Sequence, residues 1–133
     1  MNKRTGFILQ EALLAILIAL ATLVGVAQLL AMVAQQRRLA QQRTAAVREA
    51  GNLMEDFASR PWAEITADKL AAVRLSDACQ RGLPDAKLHV EVNSEDEDSQ
   101  RISIQIDWPT AAGSRGEPVR LVGWRFREEE TGP

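Results

Sequence analysis

Tyrosine is absent from this chain, cysteine and histidine each occur once, and no proline appears before Pro61. Each scarcity excludes something. The single Cys79 rules out an intrachain disulfide and any multi-cysteine metal site, and a lone cysteine is expected as a small buried apolar residue. The single His89 falls on the polar side of an alternating run, so a His-based catalytic triad has no support. There is no glycine-rich phosphate loop and no metal-ligand spacing of His or Cys. Aromatics make up 5 % of the 133 residues, which limits any water-soluble core to a modest one. A formal net charge of -2 gives no sign of a general nucleic-acid binder. These absences leave no constellation for an enzyme, catalytic residues none and cofactors none.

Charge is also missing where it matters most. From Ala12 to Ala34 there is no charged residue, and only Thr22 and Gln28 are appreciably polar. About 20 apolar residues suffice for a helix to cross the hydrocarbon core, and this run is longer. The remaining hundred or so residues could hardly cover a helix that is apolar on every side. The run is expected to span a membrane. A cleavable secretory signal has an apolar region of about 7–15 residues and a small-x-small cleavage site. Here the run is too long, "LLAMVAQQRR" offers no such site, and no cysteine follows to take a lipid.

The residues before the run carry the most specific signal. "KRTG" followed by "FILQE" is a short basic leader, a glycine, a phenylalanine and a glutamate five positions past the glycine. This resembles the class III signal of type IV pilins and of the pseudopilins of type II secretion. Ile8 and Gln10 stand where that family more often has a Ser or Thr and an aliphatic residue. The resemblance implies cleavage between Gly6 and Phe7 by a membrane-embedded prepilin peptidase, which also methylates the new N-terminus at Phe7. It implies partners among other pilin or pseudopilin subunits and membrane lipid; no nucleic acid is indicated by the charge balance, and the resemblance leaves secretion, pilus and DNA-uptake systems open. It further implies an inner-membrane, single-pass chain with a cytoplasmic leader and an extracytoplasmic C-terminal domain. The chain's size and the "REAGNLMEDFASRPW" stretch look most like a minor pseudopilin I or a similar minor pilin.

Glu11 then acquires a role within that resemblance. An ionised carboxylate in hydrocarbon is costly, and such a residue is by default functional with a nameable partner. After cleavage Phe7 would carry an α-amino group that is cationic near neutral pH. Pairing of that amine with the Glu11 of a neighbouring subunit would relieve both buried charges and set an assembly register. Arg37, Arg38, Arg43 and Arg48 follow the span before any acid appears at Glu49. The positive-inside rule assigns this flank to the cytoplasm, opposite to the orientation that the resemblance implies. Arg37 and Arg38 could also reach outer-leaflet headgroups along their methylene stems.

The helical pattern continues past the membrane. Leu39, Ala46, Ala50, Leu53 and Phe57 are spaced 7, 4, 3 and 4 apart, the mark of one helix face. Val47 and Met54 widen that face, and Arg43, Arg48, Glu49 and Asp56 occupy much of the rest. One helix is therefore expected from about Phe7 to Ser59, ended by Pro61, which disfavours helix at Arg60. The stripe would also serve a free-standing coiled coil, for which it is short and alanine-rich. "TADKLAAVRLSDACQRGLP" suits a helix capped near Thr66 and closed by Gly82 and Pro84, as one helix or two short ones.

The period then changes to two. Leu88, Val90 and Val92 alternate with polar residues, as do Ile102, Ile104, Ile106 and Trp108, while "VRLVGWRF" puts Val122, Trp124 and Phe126 on one face. Three half-buried strands in sequence suggest an antiparallel meander whose apolar face packs on the helix stripe. The expected fold class is α+β: a long N-terminal helix, transmembrane half plus amphipathic half, packed on a small three-stranded antiparallel sheet. The expected divisions are a cleaved leader 1–6, a transmembrane and assembly helix 7–34, and an amphipathic extension 35–60. A connector 61–86, a sheet 87–127 and a disordered tail 128–133 follow.

One acidic run stands between two strands, with Glu95, Asp96, Glu97 and Asp98 in succession. Hard cations favour clustered carboxylates, which makes these four a weak calcium candidate. The run lacks the alternating ligands and glycine of a calcium loop, so a solvated hairpin connection that discourages edge-to-edge pairing is the simpler expectation. The main rival to a fibre subunit is an unprocessed single-pass membrane adaptor or scaffold with a small αβ domain.

Overall fold

The computed structural model describes residues 3–110, 113 and 115–128, with side chains from residue 6 onward. The tail 128–133 lies outside these residues except for Glu128. A single helix, α1, runs from Lys3 to Ser59. It starts before Phe7 because nothing in Lys3–Gly6 breaks a helix, and a single glycine costs only about 1 kcal/mol relative to alanine. It stops where Pro61 begins to act. There the Ser59 hydroxyl donates to the Asp56 carbonyl at 2.8 Å, and the Arg60 guanidinium meets the Asp56 carboxylate at 2.6 Å.

The chain divides into two compact units, Met1–Ala40 and Gln41–Pro133. In the first, every residue from Gly6 to Ala40 is exposed except half-buried Gly25. The helix is long and apolar enough to cross a membrane. Its polar interruption at Thr22 is satisfied internally, since the hydroxyl lies 2.8 Å from the Ala19 carbonyl and 3.1 Å from that of Ile18.

The second unit holds the core. Three strands, β1 (Lys87–Asp96), β2 (Ser99–Asp107) and β3 (Val119–Phe126), form an antiparallel sheet in the order β1-β2-β3. Ile102, Ile104 and Ile106 of the central strand are at most 2 % exposed and join Ala46, Ala50 and Phe57 of α1 in one apolar cluster. Burying each such large side chain contributes about 2 kcal/mol. The two alanines leave room for close approach, and Phe57 fills the space beside them. The expected α+β class is therefore the observed one.

Three placements differ from the sequence pattern. First, Val122, Trp124 and Phe126 do not face the helix. Pairing sets Ile102 opposite Gly123, Ile104 opposite Leu121 and Ile106 opposite Val119, and directly paired residues share a sheet face. The inner face of β3 is therefore Val119, Leu121, Gly123 and Arg125. Trp124 and Phe126 are 55 % and 68 % exposed on the other face. Two contacts fix this phase. A Cβ at Gly123 would lie 2.9 Å from the Met54 sulfur, and the Arg125 Nη1 donates to the Phe57 carbonyl at 3.1 Å. A cation is well placed there, at the negative C-terminal end of the helix, where the Phe57 carbonyl also accepts from the Arg60 amide at 3.4 Å. Second, Leu39 and Val47 are exposed and lie off the buried stripe. Third, Glu49 is on that stripe and buried.

The connector consists of a 3₁₀ turn (Trp62–Glu64) and two short helices, α2 (Ala67–Ala71) and α3 (Asp77–Gly82). Ile65, Leu70, Leu75, Cys79 and Leu83 anchor it to the core. The break between the helices falls before Ser76, whose side chain accepts from the Cys79 amide and caps α3.

The close approach at Gly123 is testable. Gly123→Val puts a Cβ 2.9 Å from the flexible end of the half-buried Met54 side chain, which can swing aside, so the second unit should lose no more than about 1 kcal/mol, and Met54→Ala in the same chain should remove that loss. Urea unfolding of the detergent-solubilised full chain, followed by tryptophan fluorescence, reads both. A loss of several kcal/mol in Gly123→Val would mean that Met54 cannot give way.

Candidate functional site

Phe7, Gln10, Glu11 and Leu14 follow the i, i+3, i+4, i+7 spacing of one helix face and line a shallow groove. Phe7 is 73 % exposed, Glu11 is exposed, and Gly6 has no neighbour within 4 Å of where a Cβ would stand. Among the described residues nothing pairs with the Glu11 side chain. The Gly6–Phe7 peptide bond lies inside α1, so a peptidase that needs extended chain must first unwind the helix start. The glycine there lowers that cost.

The four acidic residues of the β1–β2 hairpin do not converge. Glu97 and Asp98 form the two-residue turn. Glu95 faces Arg101 at 3.8 Å, Asp98 faces Arg127 at 3.8 Å, and Asp96 accepts from the Ser99 hydroxyl at 3.3 Å. Among the described residues no three His, Cys, Asp or Glu side chains are placed to hold a metal ion. His89 is on the outer face of β1, its Nε2 3.3 Å from the Asp107 carboxylate.

A buried polar cluster was not visible as such in the sequence. The Glu49 carboxylate accepts from the Ser76 amide at 2.7 Å through Oε1 and from the Ser76 hydroxyl at 2.9 Å through Oε2. The Ser76 oxygen in turn accepts from the Cys79 amide at 3.2 Å. Glu49 thus ties the start of α3 to α1 and is itself satisfied, which is what a buried carboxylate requires. Its position three residues after Ala46 and four before Leu53 was the available signal. Cys79 lies beside it, 5 % exposed, as expected of a lone buried cysteine. Burial pushes its thiol pKa up, and the nearby Glu49 charge adds to the effect.

The outer face of the sheet carries the largest exposed apolar side chains of the second unit, Trp124 and Phe126. Beside Phe126, Trp62 packs under the Arg127 guanidinium, 5.4 Å from its ring centre. The cation covers one aromatic while Trp124 and Phe126 stay open. No catalytic grouping accompanies them, and a contact surface is the chemistry that they suit.

The raised Cys79 pKa sets a sign. Folding favours the protonated thiol, so its contribution to stability is fully present below the ordinary thiol pKa. It is lost as pH rises through the raised value. The urea midpoint should therefore fall more steeply above about pH 8.5 in the wild type than in Cys79→Ala. Equal slopes would remove the thiol from the alkaline transition.

Compared with known proteins, the chain matches no protein-family profile, no curated protein and no solved structure, so its function has to be argued from these residues and this geometry.

Proposed function

We propose that this chain is a minor pilin or pseudopilin subunit, cut by a prepilin peptidase after Gly6, methylated at Phe7 and assembled through α1 into a type IV pilus or a type II secretion pseudopilus. The observation that carries the reading is the basic leader, Gly6-Phe7 and Glu11, set directly against an uncharged span. Two features support it. The long helix packs its second part on a small antiparallel sheet, a layout compatible with that family. Glu11 stands exposed on a groove-lined face without a partner among the described residues.

In this mechanism cleavage converts the Phe7 nitrogen from an amide to an amine. The amine of an incoming subunit pairs with the Glu11 of its neighbour, while the apolar side chains of 7–34 exchange lipid for other helices. Removing one member of a buried charge pair costs about 3–5 kcal/mol, enough to abolish a contact used once per subunit. The sheet would meet partner subunits through its outer face at Trp124 and Phe126. The leader would stay in the cytoplasm and the sheet outside it.

One observation favours a second reading. Arg37, Arg38, Arg43 and Arg48 form an acid-free basic flank, which the positive-inside rule places in the cytoplasm. An unprocessed adaptor with a cytoplasmic αβ domain would satisfy that rule.

Intact-mass spectrometry of the membrane-extracted protein, with and without a co-expressed prepilin peptidase, separates the two. The subunit reading predicts loss of the mass of Met1–Gly6 and gain of one methyl group only with the peptidase. An unprocessed chain in both cases favours the adaptor. Glu11→Leu should be cut normally yet fail to enter the fibre, scored by shearing and immunodetection; normal incorporation would sink the charge-pairing role.

A further inference from the structure

The uncharged span ends in an abrupt band of polar side chains, Gln35, Gln36, Arg37 and Arg38. Four consecutive helical residues step round the axis by about 100° each, so together they encircle the helix. All four are exposed. Among the described residues their side chains have no hydrogen-bond or ion-pair partner. No aspartate or glutamate occurs between Glu11 and Glu49. Arg43, the next arginine along, has an acidic neighbour in Glu117 at 3.6 Å, both well exposed.

The spacing matches a bilayer. Ala12 to Ala34 is 23 residues, or about 34 Å of helix, against a hydrocarbon core of about 30 Å. The band therefore begins where the acyl chains end, in the layer of phosphates. A protein partner docks on one side of a helix, whereas this band presents donors on every side. The guanidinium forks match phosphate oxygens in charge and geometry, and the glutamine amides add neutral donors.

We propose that residues 35–38 form a collar that binds anionic phospholipid headgroups, of the phosphatidylglycerol type, and fixes the depth of the span in the membrane. The collar works in whichever leaflet it occupies. It stands apart from cleavage at Gly6, so its failure and that of the subunit reading are distinguishable. Each arginine near an anionic surface favours binding by about fivefold. At physiological salt the attraction reaches only about 8 Å, which favours Arg37 and Arg38 over Arg48.

The test uses the full-length chain in nanodiscs of equimolar phosphatidylcholine and phosphatidylglycerol, with the retained lipid counted by native mass spectrometry. The wild type should retain phosphatidylglycerol in several-fold excess. The double variant Arg37→Gln/Arg38→Gln should lose most of that excess, Arg37→Lys/Arg38→Lys should keep much of it, and Arg48→Gln should leave it unchanged. The difference between wild type and double variant isolates the collar from Lys3 and Arg4 at the other end. None of these side chains touches the core, so folding is not at stake. No lipid preference in the wild type, an undiminished preference in the double variant, or an equal loss in Arg48→Gln would each overturn the proposal. The first outcome would leave the arginines to solvent or to an acidic protein surface.

Discussion

The second unit depends on covering the inner face of β2. Three isoleucines in alternate positions make most of that face apolar, and a three-stranded sheet has no second sheet to hide it. The end of α1 supplies the cover. Ala46 and Ala50 keep the helix surface low, Phe57 fills the space beside them, and the connector closes the remainder with Leu70, Leu75 and Leu83. Two polar groups caught in this closure are answered locally, while the buried Gln100 Oε1 has no hydrogen-bond partner among the described residues. Glu49 holds the cap of α3, and Arg125 holds a carbonyl at the end of α1. Both lie where helix, connector and sheet converge, and both would be costly to bury without those partners.

The first unit obeys a different constraint. It has no core of its own, and its exposed Leu, Ile and Val side chains need lipid or other helices around them. Thr22 returns its hydroxyl to its own helix backbone, which leaves Gln28 as the one exposed polar side chain of 12–34 with no internal hydrogen bond among the described residues. Among the described residues, the charged groups of this unit without a partner sit at the two ends: Glu11 at one, Arg37 and Arg38 at the other. Glu11 and the Arg37–Arg38 pair bound an uncharged run of the length that a hydrocarbon core requires.

The long helix, the membrane-capable span, the three strands and their meander were legible because each rests on local periodicity or on a run of one character. The alternation in β1 and β2 held because each has only one apolar phase. In β3 both phases carry apolar residues, with Leu121 and Val122 adjacent, so side-chain size pointed to the aromatic phase. Glu49 was assigned to solvent because of its charge, although its spacing put it on the buried stripe. The connector stayed ambiguous between one helix and two because Ser76 becomes a break only when Glu49 grips it.

The sequence by itself determined which segment is long and apolar enough to cross a membrane, which charged residues bound it and which segments are helix or strand. These follow from hydrophobicity and backbone preference, which act over a few residues. Tertiary structure decided the facing of β3, the burial of Glu49, the scattering of the acidic hairpin among separate partners and the exposure of Trp124 and Phe126. Those outcomes turn on pairing between residues far apart in the chain. The register with β2, the close pass of Met54 over Gly123 and the reach of Arg125 to Phe57 exist only once the sheet has closed on the helix.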